Sequence, residues 1–241
     1  MLGQEAVAGK TNELTAIPVL LAKLAENDGL KGALVSIDAI ATNAKIAQAI
    51  TEAGANYLLA VKANQATLRA ETENAFATAL PGAIRSCVDH NKGHGRIEQR
   101  TVGVLQDVGW LNGDRRFPGE HRFPAAATLI RVQSRAELSD RSRFETRYYV
   151  SSAALTAEEA AKVVRDHWGV ENSLHWVLDV DFHDDQSRLR KGHGAQNMAI
   201  VRHFAINLAR SANDKRSIKL RRKLAGWDTS YLVAILGAPC R

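Results

Sequence analysis

The fold is decided by residues 33–62, ALVSIDAIATNAKIAQAITEAGANYLLAVK, which predict a strand, a helix and a second strand. Residues 33–37 form a short apolar, partly β-branched run, and residues 57–61 form a second apolar run. Between them lies a helical pattern that stops at Gly54. A strand-helix-strand unit pairs its strands in parallel through a right-handed crossover. The sequence therefore predicts an α/β fold.

Polar residues follow both predicted strands. Asp38 comes directly after the first strand, and Lys62, Asn64 and Gln65 follow the second. Parallel strands end on the same edge of a sheet, where ligands of such folds bind. We therefore expect these four side chains at one site. For Asp38 taken alone, a helix N-cap or a loop carboxylate is the commoner role.

The rest of the chain consists of sections whose sequence patterns predict different secondary structures. Pro18 is predicted to open a helix that ends near residues 27–29. From residue 83 to 151, short runs separated by Gly, Pro, Asn and Asp predict a β-rich section. Helical periodicity returns at Thr156, which forms a possible capping box with Glu159.

Composition limits the class of protein. The chain has 241 residues, of which 45% are hydrophobic, so it can bury a core of its own. It shows neither a signal peptide nor an apolar run long enough to cross a membrane. Cys87 and Cys240 lie far apart and form no metal-binding pair. We expect a cytoplasmic protein without a membrane partner.

Positive charge is concentrated in the later part of the chain. Residues 1–80 carry six Lys or Arg against eight Asp or Glu, and the remainder carries 26 against 18. The charge peaks in residues 214–223, where six of ten residues are cationic. Such a run suits a polyanion that is bound by counterion release. A solvated helix face is the alternative, and it is the commoner one for a basic run taken alone.

Residues 167–191 contain many potentially catalytic side chains, because carboxylates, imidazoles and indoles there precede a basic run. Carboxylates are hard ligands that suit Mg²⁺ or Mn²⁺, and phosphodiester transfer uses such a cation. Asp38 and Glu171 could share one ion if a sheet and a helix bring them together.

Zinc is a second possibility for this segment. His167, Glu171 and His175 are four residues apart, and such residues drift by only about 40° around an α-helix. They could bind zinc from one helix face, as in a zinc hydrolase. The pattern is not HExxH, and histidines packed beside an apolar seam are the commoner case.

Six ordered blocks of sequence closely resemble the DDE transposases of the ISAs type, the H-repeat-associated proteins. The resemblance extends from residue 1 to about 236, and its blocks are residues 10–18, 34–39, 57–65, 94–100, 167–179 and 184–188.

The resemblance implies a partial RNase H-like catalytic core with a β-rich insertion and a helical C-terminal region. Its parts are the core with the second catalytic Asp (1–82), the insertion (83–151), and the helical return that carries the Glu and the basic end (152–241). It implies insertion-sequence transposition, in which Asp38 and Glu171 hold Mg²⁺ or Mn²⁺ for DNA cleavage and strand transfer.

The implied partners are DNA terminal repeats, target DNA and a second copy of the chain, in the bacterial cytoplasm near the nucleoid. The residues expected to contact DNA are Lys62, Asn64, Gln65, Arg96, Arg100, Arg188, Arg190 and Lys191. The roles of His94, His167 and His175 are left open.

The chain also departs from the family pattern. The family carries its first catalytic Asp in an Asp-Gly-Lys motif upstream of residues 10–18, and this sequence has none there. A truncated copy without two leading strands is therefore expected. Loss of one metal ligand is expected to impair transposition, and the alternative is an inactive remnant that only binds DNA. His167 also stands where related transposase groups place an Arg.

Overall fold

The computed structural model describes residues 5, 13–26, 28–93, 96–113, 117, 120, 122–137, 141–189 and 191–237, without the side chains of 13, 91–93, 96, 97, 171 and 172. The chain forms two compact units. We call residues 2–167 the sheet unit and residues 168–241 the helical unit, and we describe each by itself.

A six-stranded mixed sheet forms the sheet unit, in the order β1-β2-β6-β5-β4-β3. β1 and β2 run parallel, with Ile37 opposite Leu59, and every other neighbouring pair is antiparallel. The predicted parallel pair and the α/β class are confirmed. The strands are β1 (Leu34–Ile37), β2 (Asn56–Val61), β3 (Arg85–Gly93), β4 (Arg96–Leu105), β5 (Thr128–Glu137) and β6 (Ser142–Ser151).

Residues 83–151 supply four strands of this same sheet. β6 pairs with β2, so that Val150 lies opposite Leu59 and Ser151 opposite Leu58. The buried ends of β5 and β6 therefore share the core with the parallel pair, while their far ends become polar and exposed. The division at residues 82 and 151 remains a prediction.

Four helices belong mainly to the sheet unit, namely α1 (Glu13–Ala25), α2 (Ala44–Glu52), α3 (Ala66–Thr78) and α4 (Ala157–Val170). Gly54 ends the turn after α2 with a φ of +73°, a conformation that costs glycine little. One apolar cluster joins the helices α1–α3 to the sheet. It includes Leu21, Ile46, Ile50, Leu59 and Phe76.

The predicted start of the first helix is wrong. Pro18 lies inside α1, which already includes Glu13. Leu14 and Ile17 pack against the core together with Leu21 and Leu24, at helical spacing. Burial of this stripe extends the helix upstream of the proline, although the ring removes one backbone hydrogen bond.

The predicted capping box at the start of α4 is confirmed. The Glu159 amide donates to Thr156 Oγ1 at 3.2 Å, and the Thr156 amide donates to Glu159 Oε2 at 2.9 Å. These reciprocal bonds satisfy amides that the first helical turn cannot. They fix the start of the helix whose last turn carries His167.

The helical unit begins with π-helical turns at Glu171–His175 and Val177–Asp181. It continues with α5 (Gly194–Ser211), α6 (Ile218–Trp227) and α7 (Thr229–Leu236). One small apolar cluster of this unit consists of Val177, Leu178 and Ile206. No helix in the part of the chain that the structure describes is long and apolar enough to span a membrane.

Candidate active site

Asp38 lies directly beyond β1 and caps the 3₁₀ turn Ala39–Ala41. Its backbone is extended, and the Ala39 amide donates to Asp38 Oδ1 at 2.7 Å. The N-cap role that the sequence left open is therefore real. Because this bond fixes one carboxylate oxygen, it also orients the other. Within the described residues, Oδ2 accepts no hydrogen bond.

Lys62 follows β2 and reaches the same carboxylate. Its Nζ donates to Asp38 Oδ1 at 2.6 Å, with both side chains about half exposed. The Lys62 hydrogen bond is the main cause that lowers the pKa of Asp38 below its usual value, and the Ala39 amide and the charges of Lys62 and His167 add to it. Partial burial opposes the shift. Asp38 is therefore a carboxylate at neutral pH.

Asn64 and Gln65 serve the turn after β1. Asn64 Nδ2 donates to the Ala39 carbonyl at 3.3 Å, and Gln65 Nε2 donates to the carbonyls of Ala39 and Thr42. These bonds tie the loops after the two parallel strands together. The sequence placed both residues at this edge but did not foresee this backbone role. Their predicted contact with DNA stays a prediction.

His167 is a neighbour that sequence analysis left without a role. Its Nδ1 lies 3.1 Å from Ser36 Oγ, on the strand that ends at Asp38. The imidazole is close enough for its charge to lower the pKa of Asp38. Strand β1 therefore presents a serine that holds His167 and, two residues later, an acid. The spacing of Ser36 and Asp38 could have indicated that both side chains belong to one site, because alternate residues lie on one face of a strand.

Glu171, the second predicted acid, belongs to the helical unit and begins the first π-helical turn. Its side chain lies outside the described residues. The π-helical turn changes the geometry assumed for zinc, since the approximate 40° drift holds for an α-helix. Among the side chains that the structure describes, no three of His, Cys, Asp and Glu form a group that could hold a metal ion.

Besides Lys62, Asn64 and Gln65, the residues predicted to contact DNA fall into three groups. Arg188 and Lys191 are exposed, and no ion pair is seen for either one within the described residues. Arg100 is already paired with Glu98 at 2.8 Å on β4. Arg190 and the side chain of Arg96 lie outside the described residues, as does His94.

Part of the basic run 214–223 is used inside the helical unit. Asp214 binds the guanidinium groups of Arg216 and Arg221 and accepts from Tyr231 Oη at 2.8 Å. The Arg216 amide and these side chains hold the pKa of Asp214 well below its usual value. Arg221 also donates to the Ala209 carbonyl at 2.7 Å, so this cluster links α5, α6 and α7. Two arginines of the run therefore stabilise the helical unit, and binding of a polyanion by the run stays a prediction.

The Asp38 carboxylate fits a hard divalent cation in several respects. It is ionised and exposed to solvent. Its Oδ1 already binds a positively charged group, the Lys62 ammonium. Oxygen ligands of this kind suit Mg²⁺ and Mn²⁺. One carboxylate is a partial ligand set, and a second acid is needed to complete it.

These features, an acid beyond a strand of the parallel pair with a lysine beside it, are compatible with a phosphoryl-transfer site. The transposase DDE domain family matches residues 1–208. The chain belongs to this family.

The curated relatives agree. The chain is 36% identical to "Putative protein YbfL" and to "H repeat-associated putative transposase YhhI", both of Escherichia coli (strain K12), over 98% of its length and 62% of theirs. It is 35% identical to "Putative transposase YncI" of Escherichia coli O157:H7, over 99% of its length and 60% of that protein. The chain thus spans about three fifths of the length of these relatives. No solved structure matches it.

Proposed function

We propose that the protein is a DNA transposase of an insertion sequence, built on an RNase H-like core, that cleaves and transfers phosphodiesters with a divalent cation. Membership of the transposase DDE domain family supports the class of reaction. The single observation that carries the site is the ionised, half-exposed Asp38 carboxylate beyond β1, which already binds a cationic group. Because the chain spans about three fifths of its relatives, the activity of the whole protein belongs to this proposal.

Each side chain has a distinct task in this proposal. Asp38 and Glu171 would hold Mg²⁺ or Mn²⁺, and the Ala39 amide fixes the orientation of Asp38. The bound ion would supply the Lewis acidity that phosphodiester cleavage needs. Lys62, Arg188 and Lys191 would bind phosphate oxygens of the DNA. Ser36 holds the His167 ring beside Asp38, which keeps a further polar side chain near the backbone of a bound strand.

The test is nicking of supercoiled plasmid by the purified chain, with Mg²⁺ or Mn²⁺ and with EDTA. Cation-dependent nicking supports the proposal. No nicking by the chain, with DNA binding retained, contradicts catalysis by this polypeptide.

The alternative function is DNA binding without chemistry. The exposed Arg188 and Lys191 favour it, because both charges are available to phosphates within the described residues. Binding of this kind is governed by counterion release and depends strongly on salt. It does not require a divalent cation.

Replacing Arg188 or Lys191 by alanine is expected to weaken DNA binding at low salt. Each lost phosphate contact should reduce the slope of log affinity against log salt by about one. Lys31→Ala serves as the matched control, because Lys31 is an exposed cation at the opposite end of β1 from the candidate site, and its slope should stay unchanged. Fluorescence anisotropy with a labelled duplex at several salt concentrations measures the slopes. Equal slopes for all three variants would reject this assignment of the phosphate contacts.

A further inference from the structure

The Lys62 ammonium stands where a metal ion would compete with it. Asp38 Oδ1 already receives two donors, the Ala39 amide at 2.7 Å and Lys62 Nζ at 2.6 Å. A divalent cation that binds this carboxylate comes close to the ammonium, and like charges at such separations repel strongly. The carboxylate cannot hold both cations with full strength.

Lys62 is not needed to orient the acid. The Ala39 amide fixes Oδ1 from the backbone, and Asp38 follows directly on β1, which is paired along its length with β2. Lysine also differs from arginine at such a site. Its ammonium is a point charge on a flexible stem and makes no bidentate contact. With about half of its side chain exposed, Lys62 can move away without breaking the core.

We propose that Lys62 is a displaceable counter-ion of Asp38, which neutralises the acid before a divalent cation binds and is released when the cation arrives. The inference rests on the proposed function, because it takes Asp38 as a ligand of that cation. It predicts that the wild-type chain binds the cation more weakly than its carboxylate alone would. The released ammonium then becomes available to a DNA phosphate, so cation and DNA should bind with positive coupling.

The experiment is a Mn²⁺ titration of the full chain, followed by the electron paramagnetic resonance of free Mn²⁺. Lys62→Met should bind Mn²⁺ roughly tenfold more tightly than the wild type, because a repelling charge and a competing hydrogen bond are removed. Lys62→Gln should shift in the same direction, which separates the charge effect from a packing defect. Circular dichroism checks that the variants are folded.

Two controls make the outcomes distinct. Lys31→Met removes the same charge at the opposite end of β1 and should leave Mn²⁺ affinity unchanged. Asp38→Asn should abolish the binding. If the wild type and Asp38→Asn bind Mn²⁺ alike, the proposed function fails. If binding depends on Asp38 but both Lys62 variants bind as the wild type or more weakly, only the counter-ion inference is overturned.

The coupling is measured with a short fluorescent duplex, with and without Mn²⁺. In the wild type, Mn²⁺ should tighten duplex binding, and the ratio of the two affinities should be smaller in Lys62→Met. An equal ratio in both proteins would contradict the release of Lys62 toward phosphate.

Discussion

Asp38→Asn is expected to reduce cation-dependent DNA cleavage by more than about a hundredfold, since changes to groups that merely support metal ligands already cost ~10–100-fold. Asparagine keeps an oxygen that can accept from the Ala39 amide and from Lys62, so the 3₁₀ turn stays capped. What is lost is the negative charge that would hold the cation. The rate of plasmid nicking at saturating Mg²⁺ measures the effect.

The control for this prediction is Asp107→Asn. Asp107 is exposed and lies outside the candidate site, so the same loss of one charge should change nicking less than about twofold. Urea unfolding of both variants shows whether the fold is preserved. Nicking by Asp38→Asn at the wild-type rate would remove Asp38 from the active site.

Leu59→Ala is expected to lower the free energy of unfolding of the sheet unit by about 2–5 kcal/mol. Leu59 is fully buried in the middle of β2, between β1 and β6. Alanine leaves a cavity at the point where the parallel pair joins the antiparallel strands. Urea unfolding followed by circular dichroism measures the change as a lower midpoint.

Leu80→Ala is the matched control for the core. Leu80 is 77% exposed, so the same truncation should change the free energy of unfolding by no more than about 0.5 kcal/mol. Equal destabilisation by the two variants would show that β2 does not form the centre of the core.

The parallel pair could be predicted because its signals are local and strong. Two apolar runs flank a short amphipathic helix, and Gly54 ends the helix at a positive φ. From that unit alone, Asp38 and Lys62 had to lie at one edge of the sheet, and the 2.6 Å contact between them agrees. A sequence can place two residues at one edge when the strands carrying them are recognisable.

Other elements gave weaker signals. Helix α3 was not predicted, because it buries only Leu68, Thr72 and Phe76, and a threonine interrupts the apolar stripe. Strand β3 lies inside the section that was predicted as β-rich, but its bounds were not predicted. Its sequence, RSCVDHNKG, is polar, and it forms at the sheet edge by pairing with β4 along its whole length. Tertiary pairing there outweighs weak β-propensity.

Hydrogen bonds between side chains and distant backbone groups could not be predicted from the sequence. The amides of Asn64 and Gln65 find carbonyls of the loop after β1, about 25 residues earlier in the chain. The arginines around Asp214 likewise form a cluster inside the helical unit, although their run suggested a surface. Composition gives the charge of such residues, but only the fold decides which charges are neutralised internally.

The proposed function takes Asp38 and Glu171 as ligands of one divalent cation, and a double-mutant cycle of Mn²⁺ affinity tests this proposal most directly. Asp38→Asn and Glu171→Gln should each abolish the same Mn²⁺ site, and the double variant should lose no more than either single variant. Such non-additivity is the signature of two residues that act on one ion. Two independent, additive losses, or wild-type Mn²⁺ binding by either single variant, would contradict a shared ion.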